Sequence, residues 1–505
     1  MRYTQGLAVA WLAAVSLAIV PSHAATHLVQ PDGSGDFPTI QEAISSSSSG
    51  DSVALADGVF SGPGNRDIDY QGKPITIYSL SGNADACIID CEGGPGAPHR
   101  GFIFNELESP TSILDGVTII NGYREYVDPP IPDAYGGGIL IMNASSPTLR
   151  NVVVRDCSAP TAGAVCILEG SPSFIGCAFE DNVATFGGPA GVFGHDGYFL
   201  FEDCRFEANL GYQIGGALAC NGPCELALLH CFFRANDLQS PGYASAVSAG
   251  WACLSAEISH CTFVDNTFGA VGIECPASIE HCTFYGNESP FAACLVVYYE
   301  QVEVANSIFS HSTAGKAIGC ADGGEVALSC CDVFGNPDGD YVDCIADFAG
   351  VNGNISLDPG ICSPVAGDFH LTAESPCAPF SEPNPDCDLI GAYSVGCAPA
   401  GIEGEREWSD APLALDQLQC RPTITTGPAT IRLQLDAPVR APAHCAVFDA
   451  TGRRVAAVKL IHAGNALTGH WPGVDTAGEP VPSGVYFLRV SQGGHAVTRS
   501  VTLVR

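Results

Sequence analysis

One seven-residue pattern recurs along this chain and limits what it can fold into. "GCAFEDN" ends at Asn182, "DCRFEAN" at Asn209, "HCFFRAN" at Asn236, "HCTFVDN" at Asn266 and "HCTFYGN" at Asn287. Looser copies are "ANSIFSH", ending at His311, and "CCDVFGN", ending at Asn336. Cys177, Cys204, Cys231, Cys261 and Cys282 lie 27, 27, 30 and 21 positions apart. A catalytic motif normally occurs once. A motif that returns about every 20–30 residues is a unit of a solenoid, in which each repeat covers the apolar edge of its neighbours.

Each unit also carries a small-residue element, such as "GGGILI" (136–141), "AGAVCI" (162–167) or "GGALAC" (215–220), and an alternating stretch such as "SAEISHC" between the two. Period-two alternation and Gly, Pro, Ser and Asn punctuation dominate, and helical periodicity is absent after the first residues. Units this short cannot hold βαβ crossovers, which need about 30 residues or more. The expectation is an all-β chain whose main body is a right-handed parallel β-helix, with coils stacked about 4.8 Å apart. Cys and Phe, two apart in the motif, then share the inward face. Stacking makes a cysteine ladder (Cys177, Cys204, Cys231, Cys261, Cys282) and an asparagine ladder (Asn182, Asn209, Asn236, Asn266, Asn287). Asn is expected to take the left-handed conformation at the corner and to bond to the Asn of the next coil.

The 24 cysteines are too many for that ladder alone. Stacked cysteines have parallel Cβ vectors, which suits an apolar column better than disulfides. Disulfide candidates are Cys87 with Cys91, Cys220 with Cys224, and the four residues Cys362, Cys377, Cys387 and Cys397, with connectivity left open.

Residues 1–24 read as a secretory signal: Arg2, an apolar run from Leu7 to Val20, and the small-residue site Ser22-His23-Ala24. No other long apolar run follows, so no membrane span is expected once the signal is removed. Export permits disulfides. The net charge of −35 is local. Residues 25–398 carry 46 acidic and 9 basic residues, whereas 399–505 carry 9 and 10. So acidic a body repels nucleic acid and anionic membranes.

The segment "DGSGDFPTIQEAI" (32–44) resembles the opening of pectin methylesterases and other β-helix proteins, with Ile40 to Ser45 as a short cap helix. "GDSVALADGVFSG", "NRDIDYQGKPITIYS" and "SILDGVTIINGY" resemble early coils of secreted bacterial β-helix proteins of the pectin-lyase-like type. The small-residue element followed by F-x-x-N is similar to chlamydial polymorphic outer-membrane-protein repeats. The resemblance covers about 25–398 and implies fold more than function. Residues 399–412 read as a linker. Beyond it, 413–505 alternates as a small β-sandwich. "VFDATGRRV" and "GEPVPSGVYF" resemble the hook-capping immunoglobulin-like module, related to C-terminal sorting domains of type IX secretion. That resemblance implies a secreted, extracellular or outer-surface location and contact with outer-membrane or secretion machinery.

Chemistry is harder to find. Resemblance to pectate lyases would imply an Arg or Lys base beside calcium-binding carboxylates, yet residues 25–398 hold only two lysines, Lys73 and Lys316, and no R-x-P-x-x-R stretch. "GHDG" (194–197) is a lone fragment of a polygalacturonase set, and the later segments of pectin methylesterases are missing. The expected role is therefore non-catalytic: carbohydrate binding, adhesion or surface display, with a polysaccharide or cell-surface glycan as partner. The alternative is a polysaccharide lyase or hydrolase of acidic, pectin-like glycans, for which Lys316 near Asp322, Arg205 and Arg234 are the available bases. The insertion 123–135 is the candidate ligand loop, through Tyr123, Tyr126, Asp128, Asp133 and Tyr135. No cofactor is required. Asn336, Asp338, Asp340 and Asp343 alternate as in a calcium loop but lack an EF-hand's Gly and distal Glu. The outward row Asp203, His230, His260 and His281 is expected to be polar turn residues and not a stoichiometric zinc or nickel site.

Overall fold

The computed structural model describes residues 24–126 and 134–397, apart from 241 and 243, and strands with some of their turns between 418 and 503. The expected signal, up to residue 23, and the expected linker 399–412 lie outside the described residues.

The main body is a parallel β-helix. Each coil contributes three short strands, and each strand pairs in parallel register with its counterpart one coil on. The repeat motif builds one wall, an eleven-stranded sheet from Gly58–Phe60 to Asp332–Phe334. The other two walls are joined into one twenty-stranded sheet, because Val192–Glu202 and Leu218–Leu229 turn the corner between them without a break. A short helix, Ile40–Ser46, closes the first coil. Thr39 caps it by accepting from the Glu42 amide, and Ile40, Ala43 and Ile44 are buried beneath it. This is the expected cap, and it covers a sheet edge that would otherwise be open to pairing.

The interior is built from columns. The phenylalanine of each motif stacks on the next: Phe179, Phe206, Phe233, Phe263, Phe284 and Phe309 have successive ring centroids 4.6–4.9 Å apart. A second column, Phe174, Phe201, Leu228, Ile258, Ile279, Val304 and Leu328, lines the neighbouring wall in register. Each buried side chain of this size stabilises by about 1.5–3 kcal/mol, and offset aromatic pairs add about 0.5–1.5 kcal/mol. The cysteine ladder is inward and buried, as expected. Its thiols remain free and donate to backbone carbonyls, Cys204 to Phe174 and Cys231 to Phe201.

The asparagine ladder closes the corner. Asn182, Asn209, Asn236 and Asn266 each donate Nδ2 to the Oδ1 of the next asparagine at 3.0 Å. The same Oδ1 accepts the backbone N–H of the preceding asparagine. The second amide hydrogen goes to a carbonyl one coil back, for example that of Phe206 for Asn236. The left-handed residue is not the asparagine but the one before it (Asp181, Ala208, Ala235, Asp265), and a second sits just before each cysteine (Asp203, His230, His260, His281). Two single-residue left-handed bends leave the asparagine itself extended and pointed inward. The copy at 305–311 is also shifted by one: Ser307 stands in the cysteine column and Ser312 in the asparagine column.

After the last coils the chain turns back as a strap. Ile361–Ser363 pairs antiparallel with Asp368–Leu371. Phe369 lies 6.2 Å from Phe232 and 6.0 Å from Tyr285, and the Ala392 N–H donates to Thr283 Oγ1. The outer face of the eleven-stranded wall is therefore covered from Asp332 back to Phe232. Three disulfides tie this region: Cys320–Cys344, Cys330–Cys387 and Cys362–Cys397. Of the expected candidates, Cys362, Cys387 and Cys397 are bridged. Cys87, Cys91, Cys220, Cys224 and Cys377 are free and buried. Cys320, Cys330 and Cys344 lie outside that expectation, because their partners depend on how the strap folds back.

Between 418 and 503 the strands form a four-stranded antiparallel sheet and a five-stranded sheet. Trp471 of the first and Tyr486 of the second are both buried, with rings 5.0 Å apart, so the two sheets face each other.

Asn236→Ala is expected to destabilise the β-helix strongly. It strips the acceptor from two N–H groups of Asn209 and the donor from the Phe206 carbonyl, at about 1–3 kcal/mol for each buried group left unpaired. Urea unfolding measures it, and a loss below about 1 kcal/mol would mean the column is not under load.

Candidate functional site: an acidic groove with an aromatic edge

Because the interior is uniform, the outer walls must carry any function. The wall built from Val192–Glu202, Leu218–Leu229, Ser255–Ser259, Ala277–Glu280, Gln301–Ala305 and Glu325–Ser329 stays open to solvent. Alternation decides what it shows. Ala256 and Ile258 point in, while Ser255 and Glu257 point out. In register, the outward rows are Tyr198, Glu225 and Ser255, and Glu257, Ser278 and Glu303. A shallow, open depression of about 420 Å³ runs across three coils here, lined by Ser255, Glu257, Pro276, Ser278, Gln301 and Glu303. These six strands contain no Lys or Arg.

The corner beside the groove is aromatic. Trp251 (78% exposed) and Tyr299 (62% exposed) occupy turns that lead into the strands Ser255–Ser259 and Gln301–Ala305. Their turns are two rungs apart, about 10 Å. Tyr198 is half exposed on the same wall. Burial holds its hydroxyl proton more tightly than usual, and the Glu257 and Glu225 carboxylates add to that. Exposed aromatic faces beside carboxylate, amide and hydroxyl groups suit sugar rings: apolar ring faces stack, and hydroxyls donate to the carboxylates. Sequence alternation in "SAEIS", "ASIE" and "QVEVA" would have pointed to these outward groups. The aromatic edge would not have been visible, since it depends on coils of unequal length.

The residues singled out from sequence are scattered. Lys316 lies on Ala314–Ala321, where Nζ donates to Asp343 Oδ2 at 2.7 Å and sits 4.4 Å above the Phe291 ring. Asp322 is six residues further along extended chain, about 20 Å away, so the Lys316–Asp322 pair does not form. Arg205 pairs with Glu180 and Glu207, and Arg234 with Glu207. Both arginines stand on the eleven-stranded wall, away from Lys316. No described groove joins one of these bases to a free carboxylate cluster.

The insertion also divides. Tyr135 packs against Leu140, Ala162 and Cys166 on the solenoid wall. Tyr126 stacks at 4.4 Å on Phe186. The Tyr123 amide bonds to the His99 carbonyl. Asp128 and Asp133 lie outside the described residues. In the acidic loop, Asn336 Oδ1 accepts from Ser312, Asp340 accepts from Asn336 and Ser356, and Asp343 pairs with Lys316. These oxygens serve separate partners and do not converge, while Asp338 stays exposed. His230, His260 and His281 form a stack with centroids 4.8 Å apart, the first pair tilted by 32° and the second by 20°. Nitrogens in the planes of stacked rings do not point at a common centre.

One carboxylate has the perturbation that often marks an active site. Burial pushes Asp332 up to about 7. It is fully enclosed under the strap, where the Leu357 amide donates to one oxygen and the Cys377 thiol to the other. No substrate reaches it, so the shift is a structural cost.

No protein-family model and no curated protein matches this chain. Among solved structures, pectate lyase Pel9A is 13% identical, with a TM-score of 0.42, over 74% of this chain and 97% of its own. The complex of XylC with xylose is 11% identical, with a TM-score of 0.38, over 95% of this chain and all of its own. At these values neither likeness bears on function.

Asp332 makes stability depend on pH with a definite sign. Below the ordinary carboxylate value both folded and unfolded states hold the proton. Between there and about 7 the unfolded chain releases it and the folded chain does not, so stability falls as pH rises through that window. Asp332→Asn is expected to flatten this slope and to stabilise the protein above neutral pH by a few kcal/mol, since each tenfold change in proton affinity is worth about 1.4 kcal/mol. Melting curves of both proteins across the pH range provide the check, and parallel curves would contradict it.

Proposed function

We propose that this protein is an exported β-helix, displayed on the outer cell surface or released outside the cell, that binds a neutral glycan without cleaving it. The observation that carries the reading is the acidic groove edged by Trp251 and Tyr299. Its carboxylates accept hydroxyl hydrogen bonds and repel polyuronates, and its edge offers two stacking faces. The acidic body likewise disfavours a nucleic-acid partner. Three disulfides suit an oxidising compartment. The facing sheets after residue 418 we read as an immunoglobulin-like module of the sorting or anchoring kind, serving contact with secretion or outer-membrane machinery. The function requires no cofactor, and calcium at the Asn336–Asp343 loop would be structural.

Cleavage of acidic glycans is the weaker reading. A lyase needs a free base beside a carboxylate cluster in one groove, and Lys316, Arg205 and Arg234 are each engaged by a carboxylate on walls away from the open groove.

The mature chain from residue 25 should retain neutral glycans and not polyuronates in a binding panel read by calorimetry. Trp251→Ala and Tyr299→Ala are each expected to weaken binding about two- to tenfold, at about 0.5–1.5 kcal/mol per lost stacking contact, with the melting temperature unchanged. Release of unsaturated or reducing ends, abolished by Lys316→Ala or an arginine substitution, would replace this reading with a lyase.

A further inference from the structure

Sixteen cysteines of the β-helix are free and buried, and four of those outside the ladder lie near one corner. Cys220 and Cys224 lie on Leu218–Leu229, on either side of a bend at Gly222 (φ +80°). Cys253 lies in the turn between Val247–Ala249 and Ser255–Ser259, one coil on. Cys275 lies between Val271–Ile273 and Ala277–Glu280, one coil further. Three successive coils thus place sulfur at one corner of the solenoid. The coil before has Asp196 and Gly197 there, and the coil after has Tyr299 and Glu300, so the cluster is bounded on both sides.

The sulfurs converge. Cys220 Sγ and Cys253 Sγ are 3.8 Å apart, and the sulfurs of Cys220, Cys224 and Cys253 all lie within 4.8 Å of one another. Cys275, one coil further, is not among the three sulfurs that share that limit. All four are buried. Among the described residues no other group of three metal-ligating side chains comes so close. The ladder cysteines provide the contrast: each sits on its own rung, and a line of single sulfurs cannot close around a point. The bridged cysteines provide another, since they meet two by two.

We propose that Cys220, Cys224 and Cys253 supply three thiolates of a structural site for a soft tetrahedral divalent ion of the zinc type, with the Cys275 thiol of the next coil offered for the fourth position. Zinc–thiolate bonds of about 2.3 Å set the sulfurs of a tetrahedron about 3.8 Å apart, which is the separation of Cys220 and Cys253. Thiolate softness selects zinc over calcium or magnesium. Loading replaces four S–H protons with four metal–sulfur bonds and needs no oxidant. It would pin three coils directly beneath the turn that carries Trp251.

The test uses the mature chain from residue 25, purified without chelator, with metal content measured by mass spectrometry and cobalt(II) titrated into stripped protein. One zinc per chain is expected, together with the charge-transfer band of a tetrahedral thiolate–cobalt centre. Cys220→Ser and Cys253→Ser should lose the metal, and the ladder variant Cys204→Ser should keep it. Should either of the first two fail to fold, the cobalt spectrum of the unaltered chain decides by its thiolate count. Protein that carries no zinc and, after reduction, takes up no cobalt overturns the proposal, whether or not peptide mapping finds Cys220 bridged to Cys224 or Cys253. Equal metal loss from Cys204→Ser overturns it as well.

Discussion

The amide column fixes everything else in this β-helix. An asparagine side chain has two donor hydrogens and one acceptor oxygen, and at the corner all of them are used. One hydrogen binds the next asparagine, one binds a carbonyl behind, and the oxygen takes two N–H groups from the preceding residue. The sites are fully buried, so no water replaces a missing partner, and an unpaired group keeps its full desolvation cost. A coil that slipped by one residue would break several such bonds and turn its phenylalanine outward. The column therefore sets register, and register places the stacked rings and the outward rows alike. Cys157 starts it by giving its backbone N–H to Asn182. Beyond Asn287, Ser307 and Ser312 take the two columns for one coil, and Cys331 and Asn336 resume them, with Asn336 accepting from Ser312 and donating to the Phe309 carbonyl.

A fixed interior leaves three outer walls with different fates. The eleven-stranded wall carries the charge ladder Glu180, Arg205, Glu207 and Arg234 at one stage and lies under the strap at the next. The small-residue wall is partly roofed by Tyr135 with Leu168 and Phe193. The third wall alone keeps a continuous polar face across its later coils. Its composition follows from position: with no strap or loop above them, outward residues were free to be Glu, Ser and Gln, and the aromatic residues collect at its edge, where turns vary in length.

What could be read in the sequence follows the same division. The period, the inward Cys and Phe, the Asn-to-Asn bond and the cap helix at Ile40–Ser46 all depend on local spacing, which the motif prints directly. The left-handed position did not follow. Asn is a common choice for that conformation, but here Asp, Ala and His take the strain at the neighbouring positions, so that the amide stays in the column. Lys316 and Asp322 are near in sequence, which suggests a pair. An extended strand carries them apart, and the lysine meets Asp343 from the next turn of chain. Disulfide partners escape local reading for the same reason. Cys330 and Cys387 are 57 residues apart, and only the fold-back of the strap joins them.

The strap shows how the end of a solenoid differs from its middle. Inner coils find partners for their N–H and C=O groups above and below, whereas the last coil has them on one side only. Folding the chain back over the wall covers apolar outward residues such as Ile308, and it draws Asp332 out of water with them. The carboxylate keeps a proton there, because the Leu357 amide and the Cys377 thiol cannot replace the solvation of a charge. Disulfides reinforce the region where the amide column is interrupted at Ser312 and ends at Asn336, and their loops of 24, 35 and 57 residues restrain the unfolded chain by about 3–4 kcal/mol each. Covalent closure thus takes over where repetition ends, while the repetitive middle relies on hydrogen bonds and stacking and keeps its outer wall free for a ligand.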